Sequence, residues 1–349
     1  MATRARLFIV LLFALGCGSN NNTAPQTTNS QQQTEQSASV NDDAVKTSAN
    51  MSPVKIEKMK AEHLPNPVRV HARVISGGLP EGDAAFAELK ALGIKTVISV
   101  DGAKPDLVTA QKHGLEYVHL PHGYDGVPEE RAKELAKAVR DLPGPIYIHC
   151  HHGKHRSPAA AAVACVGAGF INHDESRQVL AIAGTGENYR GLFQSADDAK
   201  PLDASLLDGM TARFPETAKL PAMAEAMVAI EHVLDHLKLI EKAGWNTPAD
   251  HPALAADHES LLLREHFTEL LRTDDVKGRP EQFRQLIQEA ETLCLSLEEA
   301  LKTSPIDTEA ASKTLAAVAT NCKSCHQVYR DVPGAMKRPT KSFVAQKVK

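Results

Sequence analysis

The chain has 349 residues, with 39 Lys plus Arg against 43 Asp plus Glu, a formal net charge of -4, and 42% hydrophobic residues. That length exceeds one ordinary domain and predicts two folded units plus tails. The slightly acidic balance excludes a global nucleic-acid binder; only the closing stretch "MKRPTKSFVAQKVK" is locally basic, and it reads as a solvated tail over 333–349.

The chain opens with "MATRARLFIVLLFALGCGSN", two arginines followed by an apolar run too short to span a membrane, then a small residue and Cys17. This pattern predicts a secretory signal peptide over 1–17. "ALGC" resembles a bacterial lipobox, which implies a lipid anchor on Cys17, attachment to a membrane, and a periplasmic or outer-surface location. Residues 18–65 begin as a run of Asn, Gln, Ser and Thr that buries too little apolar surface to offset ordering entropy, and the segment is expected to be a disordered polar tether.

Residues 66–200 alternate β-branched runs with helical stretches. "VRVHARVISG", "IKTVISVDG", "LEYVHLP" and "GPIYIHC" read as strands; "EGDAAFAELKALG" and "PEERAKELAKAVRDL" read as helices between them. The expected fold is an α/β domain with a mostly parallel central sheet and helices on both faces. Residues 201–215 are expected to be a linker. Over 216–332 the strand pattern disappears, and four amphipathic segments with short breaks predict an all-α antiparallel four-helix bundle.

Two stretches carry chemistry. "IYIHCHHGKHRSPAAAAVACVGAG" is a strand, a turn and a helix whose start is marked by Ser157 and by Pro158 at the first helical position. The turn therefore lies on a helix N-terminus, where amides and dipole favour an anion, and Cys150 there is favoured as the thiolate nucleophile. His149, Cys150, Gly153, Arg156 and Ser157 resemble the H-C-x2-G-x2-R-S/T signature of cysteine-dependent protein-tyrosine and dual-specificity phosphatases. The resemblance implies that Cys150 attacks phosphorus, Arg156 grips the phosphoryl oxygens with its fork, and Ser157 assists thiolate release. Gly153 lets the backbone close around the anion.

The family also places an aspartic acid on a mobile loop, and Asp125 in "HLPHGYDGVPEE" is the expected general acid, ahead of Asp101 and Asp106. Lys154 follows Gly153 as in phosphoinositide-type members; with His151, His152 and His155 it would make a cationic mouth for a polyanionic phosphorylated substrate. His149 is expected to orient the loop. A metal site built from these histidines is the competing reading, opposed by the diverging directions of residues in so tight a turn. Sulfur transfer is the rival chemistry for Cys150, since rhodanese-like proteins also seat a cysteine on an anion loop.

The second stretch, "CKSCH", has the C-x-x-C-H spacing of c-type haem attachment, with Cys322 and Cys325 as thioether donors and His326 as axial ligand. A thioredoxin-like dithiol opens a helix after a strand, whereas this motif lies late in a final helix. "NCKSCHQVYR" resembles the end of cytochrome c′ and the low-spin c-556 proteins, which implies one covalent haem c, Arg330 near a propionate, and Met227 or Met223 as the sixth ligand. His232 and His236 read as solvated or core histidines, and Cys165 and Cys294 as buried free thiols. Together these readings predict an exported phosphatase fused to a haem domain, with a redox partner protein and no nucleic-acid partner. The alternative is a haem electron carrier or gas binder whose phosphatase-like domain is non-catalytic or transfers sulfur.

Overall fold

The computed structural model describes residues 55–333. The expected signal peptide, Cys17 and the basic tail lie outside the described residues, as does most of the expected tether. The described residues belong to one compact unit, so the two expected domains are packed together.

The first half runs β1 (Glu57–Lys58), β2 (Val68–His71), β3 (Val74–Gly77), α1 (Gly82–Ala91), β4 (Thr96–Ser99), α2 (Leu107–Lys112), β5 (Glu116–His119), α3 (Glu129–Asp141), β6 (Ile146–His149), α4 (Arg156–Gly167), α5 (His173–Ala183) and α6 (Arg190–Asp198). The sheet order is β1-β2-β3-β6-β4-β5. β3, β6, β4 and β5 are parallel, while β1 and β2 add antiparallel at one edge, so the sheet is mixed. "VRVHARVISG", expected as one strand, folds back on itself as β2 and β3. Both arms are apolar and β-branched, so the turn between them leaves no break in the hydrophobic pattern.

Alternation along the strands divides the interior into two cores. Ile98, Val118, Ile146 and Ile148 face the core that includes α3, α4, α5 and α6. Val97, Tyr117 and Tyr147 face the core shared with Phe86 and Leu89 of α1. The expected cover on both faces is therefore present. The folded part also begins earlier than residue 66: Ile56 and Leu64 are buried, and β1 pairs with β2. Those two apolar residues sit within a charged segment that composition alone assigns to the tether.

The second half comprises α7 (Ala204–Gly209), α8 (Ala222–Lys242), α9 (Ala256–Arg272), α10 (Asp274–Lys277), α11 (Glu281–Leu301) and α12 (Thr308–Tyr329). The expected linker is structured, since it contains α7 with Leu207 buried, and His119 N–H on the outer edge of β5 donates to Pro215 O at 2.8 Å. Four long helices share one apolar core, with Ile230 and Leu237 of α8, Leu263 and Phe267 of α9, Ile287 and Leu297 of α11, and Leu315 and Val318 of α12. α9 packs closely on α8 and α11, and α11 on α12; α8 and α12 are not a closely packed pair. Among the described residues no helix is long and apolar enough to cross a membrane.

Candidate functional site

α4 is buried at every position from Arg156 to Gly167. It starts at Arg156, ahead of the expected Pro158, and the Ser157 hydroxyl does not cap it: Ser157 Oγ donates to Gly77 O at 2.8 Å and lies 3.3 Å from Cys150 Sγ. The loop from Cys150 to His155 is held by its carbonyls. Leu79 N–H donates to His151 O at 2.9 Å, Asn66 Nδ2 to Gly153 O at 2.8 Å and Thr185 Oγ1 to Lys154 O at 2.6 Å. Within a trans peptide the N–H points opposite to the C=O, so drawing these carbonyls outward turns the amides of His152, Lys154 and His155 toward the loop's interior. Gly153 has φ +71°, and a Cβ there would stand 2.4 Å from Gly78 N. Only glycine allows loop and β3 to approach this closely.

Arg156 is 6% exposed, and its Nε is buried without a hydrogen-bond partner. Its Nη2 lies 3.3 Å from Asp101 Oδ2, and its guanidinium stacks 4.4 Å from the centre of the Tyr124 ring. Burial opposes ionisation of Asp101, but Arg156 and the Ala103 amide more than reverse this and hold the carboxyl below its ordinary range. Asp101 is therefore a carboxylate at neutral pH and orients the arginine. Asp125 lies one residue beyond Tyr124 on the loop between β5 and α3, its side chain over Gly123; the loop is fastened by Val127 N–H to Ser195 Oγ at 2.8 Å.

His149 is buried under the loop, with Nε2 2.6 Å from Tyr117 Oη, and burial lowers its pKa to about 4. The expected cationic mouth differs from the one observed. Lys154 is exposed, but burial lowers His155 to about 4, with His152 and Arg156 adding to the shift, and burial also lowers His152. Only His151 is raised, by its 3.2 Å contact with Asp235 Oδ2. Two neutral histidines and the acidic side chains of α8 make the mouth far less positive than the sequence suggests. The expected divergence of His151 and His152 is also absent: their ring centroids are 4.4 Å apart.

α8 covers this mouth. Val228, Glu231 and His232 border a cavity of about 10 Å³, near the size of one water, that is completed by Asp101, Ala103 and His151. Gly102 admits the helix, since a Cβ there would lie 2.8 Å from Val228 Cγ2. Asp101, Tyr124, Glu231 and Asp235 are thus neighbours of the loop that sequence reasoning passed over or ranked low. The i, i+3, i+4, i+7 spacing of Val228, Glu231, His232 and Asp235 was a readable signal of a second helix face.

At the end of α12, Cys325 is buried, Cys322 half-buried and both are free. Both belong to the same apolar core as Met223 and Met227. Burial lowers His326 to about 3 and raises Cys325 to about 11, so the imidazole is neutral and free to act as a ligand. Arg330 lies 4.0 Å from the centre of the Tyr124 ring and donates from Nε to Asp331 Oδ1 at 2.7 Å. The Tyr124 ring thus contacts both Arg156 and Arg330. Cys165 and Cys294 are buried thiols whose pKa burial pushes up, as expected.

No family model and no curated protein matches the chain. Among solved structures it is similar to P. aeruginosa TpbA at 20% identity, covering 45% of this chain and 95% of that one with a TM-score of 0.37. TpbA in complex with phosphotyrosine gives 17% identity, 45% and 96% coverage and a TM-score of 0.35. The core catalytic domain of the PP-IP phosphatase Siw14 from S. cerevisiae, in complex with citrate, gives 14% identity, 44% and 92% coverage and a TM-score of 0.35. At such scores the reading of the site rests on its own geometry.

Proposed function

We propose that this chain is a cysteine-dependent phosphatase of phosphate monoesters joined to a c-type haem domain. The observation that carries the first part is the buried Arg156 Nε without a partner, on a loop whose carbonyls are pulled outward and whose cysteine lies at its base. An unpaired buried donor is costly unless an anion completes it. In this reading Cys150 Sγ attacks phosphorus, the phosphoryl oxygens are held by Arg156 and the loop amides, and the leaving oxygen takes a proton from Asp125. Water then attacks the cysteinyl phosphate, passing a proton to the Asp125 carboxylate left by the first step, and Ser157 Oγ, 3.3 Å from the sulfur, stabilises the departing thiolate. Asp101, held as a carboxylate against burial by the guanidinium 3.3 Å away, keeps Arg156 aimed.

Full-length protein should hydrolyse an aryl phosphate under reducing conditions, and Cys150→Ser should abolish turnover while retaining phosphate binding. Equal rates in the two proteins would refute the mechanism; no turnover in either would leave an oxyanion-binding module.

Cys322, Cys325 and His326 would hold haem c within an antiparallel four-helix bundle of cytochrome c′ type, with Met227 the first candidate for the sixth position. A common core containing both cysteines and both methionines supports this. The bound group would supply one-electron or gas-binding chemistry. Expression with a c-type maturation system should give a red protein whose haem survives denaturation, and replacing both cysteines should abolish that retention. Export and a lipid anchor on Cys17 belong to the same proposal and are tested by fractionation against Cys17→Ser.

A further inference from the structure

α8 has two working faces. Ile230, Val233, Leu237 and Ile240 point into the helical core, while Val228, Glu231, His232 and Asp235 meet the loop and its surroundings. On that second face Glu231 approaches the adjacent pair His151 and His152. One ligand atom from each of the three lies within 4.8 Å of the others. The two imidazoles are nearly perpendicular, at 86°, as donors converging on one point from different directions can be.

We propose that His151, His152 and Glu231 form a site for a divalent transition metal of the zinc class, tying the anion loop to α8. Two imidazoles and one carboxylate are a zinc donor set, whereas calcium and magnesium favour oxygen-only shells. A tetrahedral ion with ligand bonds of about 2.1 Å sets its ligand atoms roughly 3.4 Å apart. Closing from 4.8 Å therefore takes small side-chain rotations, and His152 is exposed and Glu231 half-buried, free to make them. Asp235 Oδ2 stands 3.2 Å from His151 Nε2, while its other oxygen, Oδ1, accepts from Lys238 Nζ at 2.7 Å. It serves as the carboxylate that orients a ligating histidine, or as a fourth ligand if Nε2 binds the ion. The small cavity beside His151 and Glu231 offers room for a ligand water. The site exists only when loop and helix are docked, so the ion stabilises that docking. It depends neither on turnover at Cys150 nor on haem.

The test uses full-length protein, equilibrium dialysis against zinc chloride and elemental analysis. One equivalent of zinc per chain is expected, with a rise in Tm. Glu231→Gln and His152→Ala, each checked for native circular dichroism, should weaken zinc binding tenfold or more and remove the Tm rise. Zinc bound with an affinity that neither variant changes would belong to the thiols and would overturn the proposal, as would the absence of bound zinc.

Discussion

Gly153→Ala tests the loop directly. Its φ of +71° is the left-handed region, which costs an alanine about 1–2 kcal/mol. The added Cβ would also stand 2.4 Å from Gly78 N, against an ordinary contact of 3.4 Å, so loop and β3 must part by about 1 Å. Both neighbours are backbone, and no side-chain rotation relieves the clash. A 1 Å displacement of a catalytic loop costs roughly 100-fold in rate, about 2.7 kcal/mol of barrier. Strain alone lowers Tm by roughly 2–8 °C for a unit of this size. The assay is kcat/KM on an aryl phosphate beside a thermal melt, with Gly114→Ala as control: its φ is +73°, but nothing lies within 4 Å of a Cβ there. The control should lose Tm and keep its rate, while Gly153→Ala loses both. A Gly153→Ala rate within threefold of wild type would refute the close-approach argument.

Asp101→Asn removes the buried counter-charge of Arg156 and should destabilise the fold by about 3 kcal/mol or more, with added phosphate restoring part of the loss in a thermal melt. Tyr124→Leu removes a ring that two guanidiniums share at 4.4 Å and 4.0 Å; a loss of about 1–3 kcal/mol by chemical denaturation is expected, with weaker phosphate binding. His151 is raised by Asp235, so this pair's contribution is full below the unfolded histidine value near 6.5 and fades as pH rises through the higher folded value. The stability difference between wild type and Asp235→Asn should therefore be larger at pH 6 than at pH 9; a pH-independent difference would show that the pair is not formed.

Periodicity made the strands, the long helices and the Cys150 loop legible, because each is local: a five-residue signature, a 3.6-residue period, a β-branched run. What escaped was long-range. Asn66 and Thr185 hold carbonyls of the loop from 87 and 31 residues away, and polar side chains at such distances look like surface. Glu231 and Asp235 likewise read as the solvated side of an amphipathic helix until the loop is set against them. The charge of the histidine run was misjudged for a related reason: sequence counts imidazoles, but burial decides which are protonated.

The segment around Pro215 has a practical consequence for anyone dividing this protein. His119 N–H on the outer edge of β5 donates to Pro215 O, and Ala218 N–H donates to His119 Nδ1 at 3.0 Å, so the connection between the halves also seals a sheet border. Cutting at the apparent boundary near residue 200 would leave that border bare and ready to pair with another copy. A sheet-half fragment carried through Ala218 should stay monomeric where one ending at Lys200 self-associates.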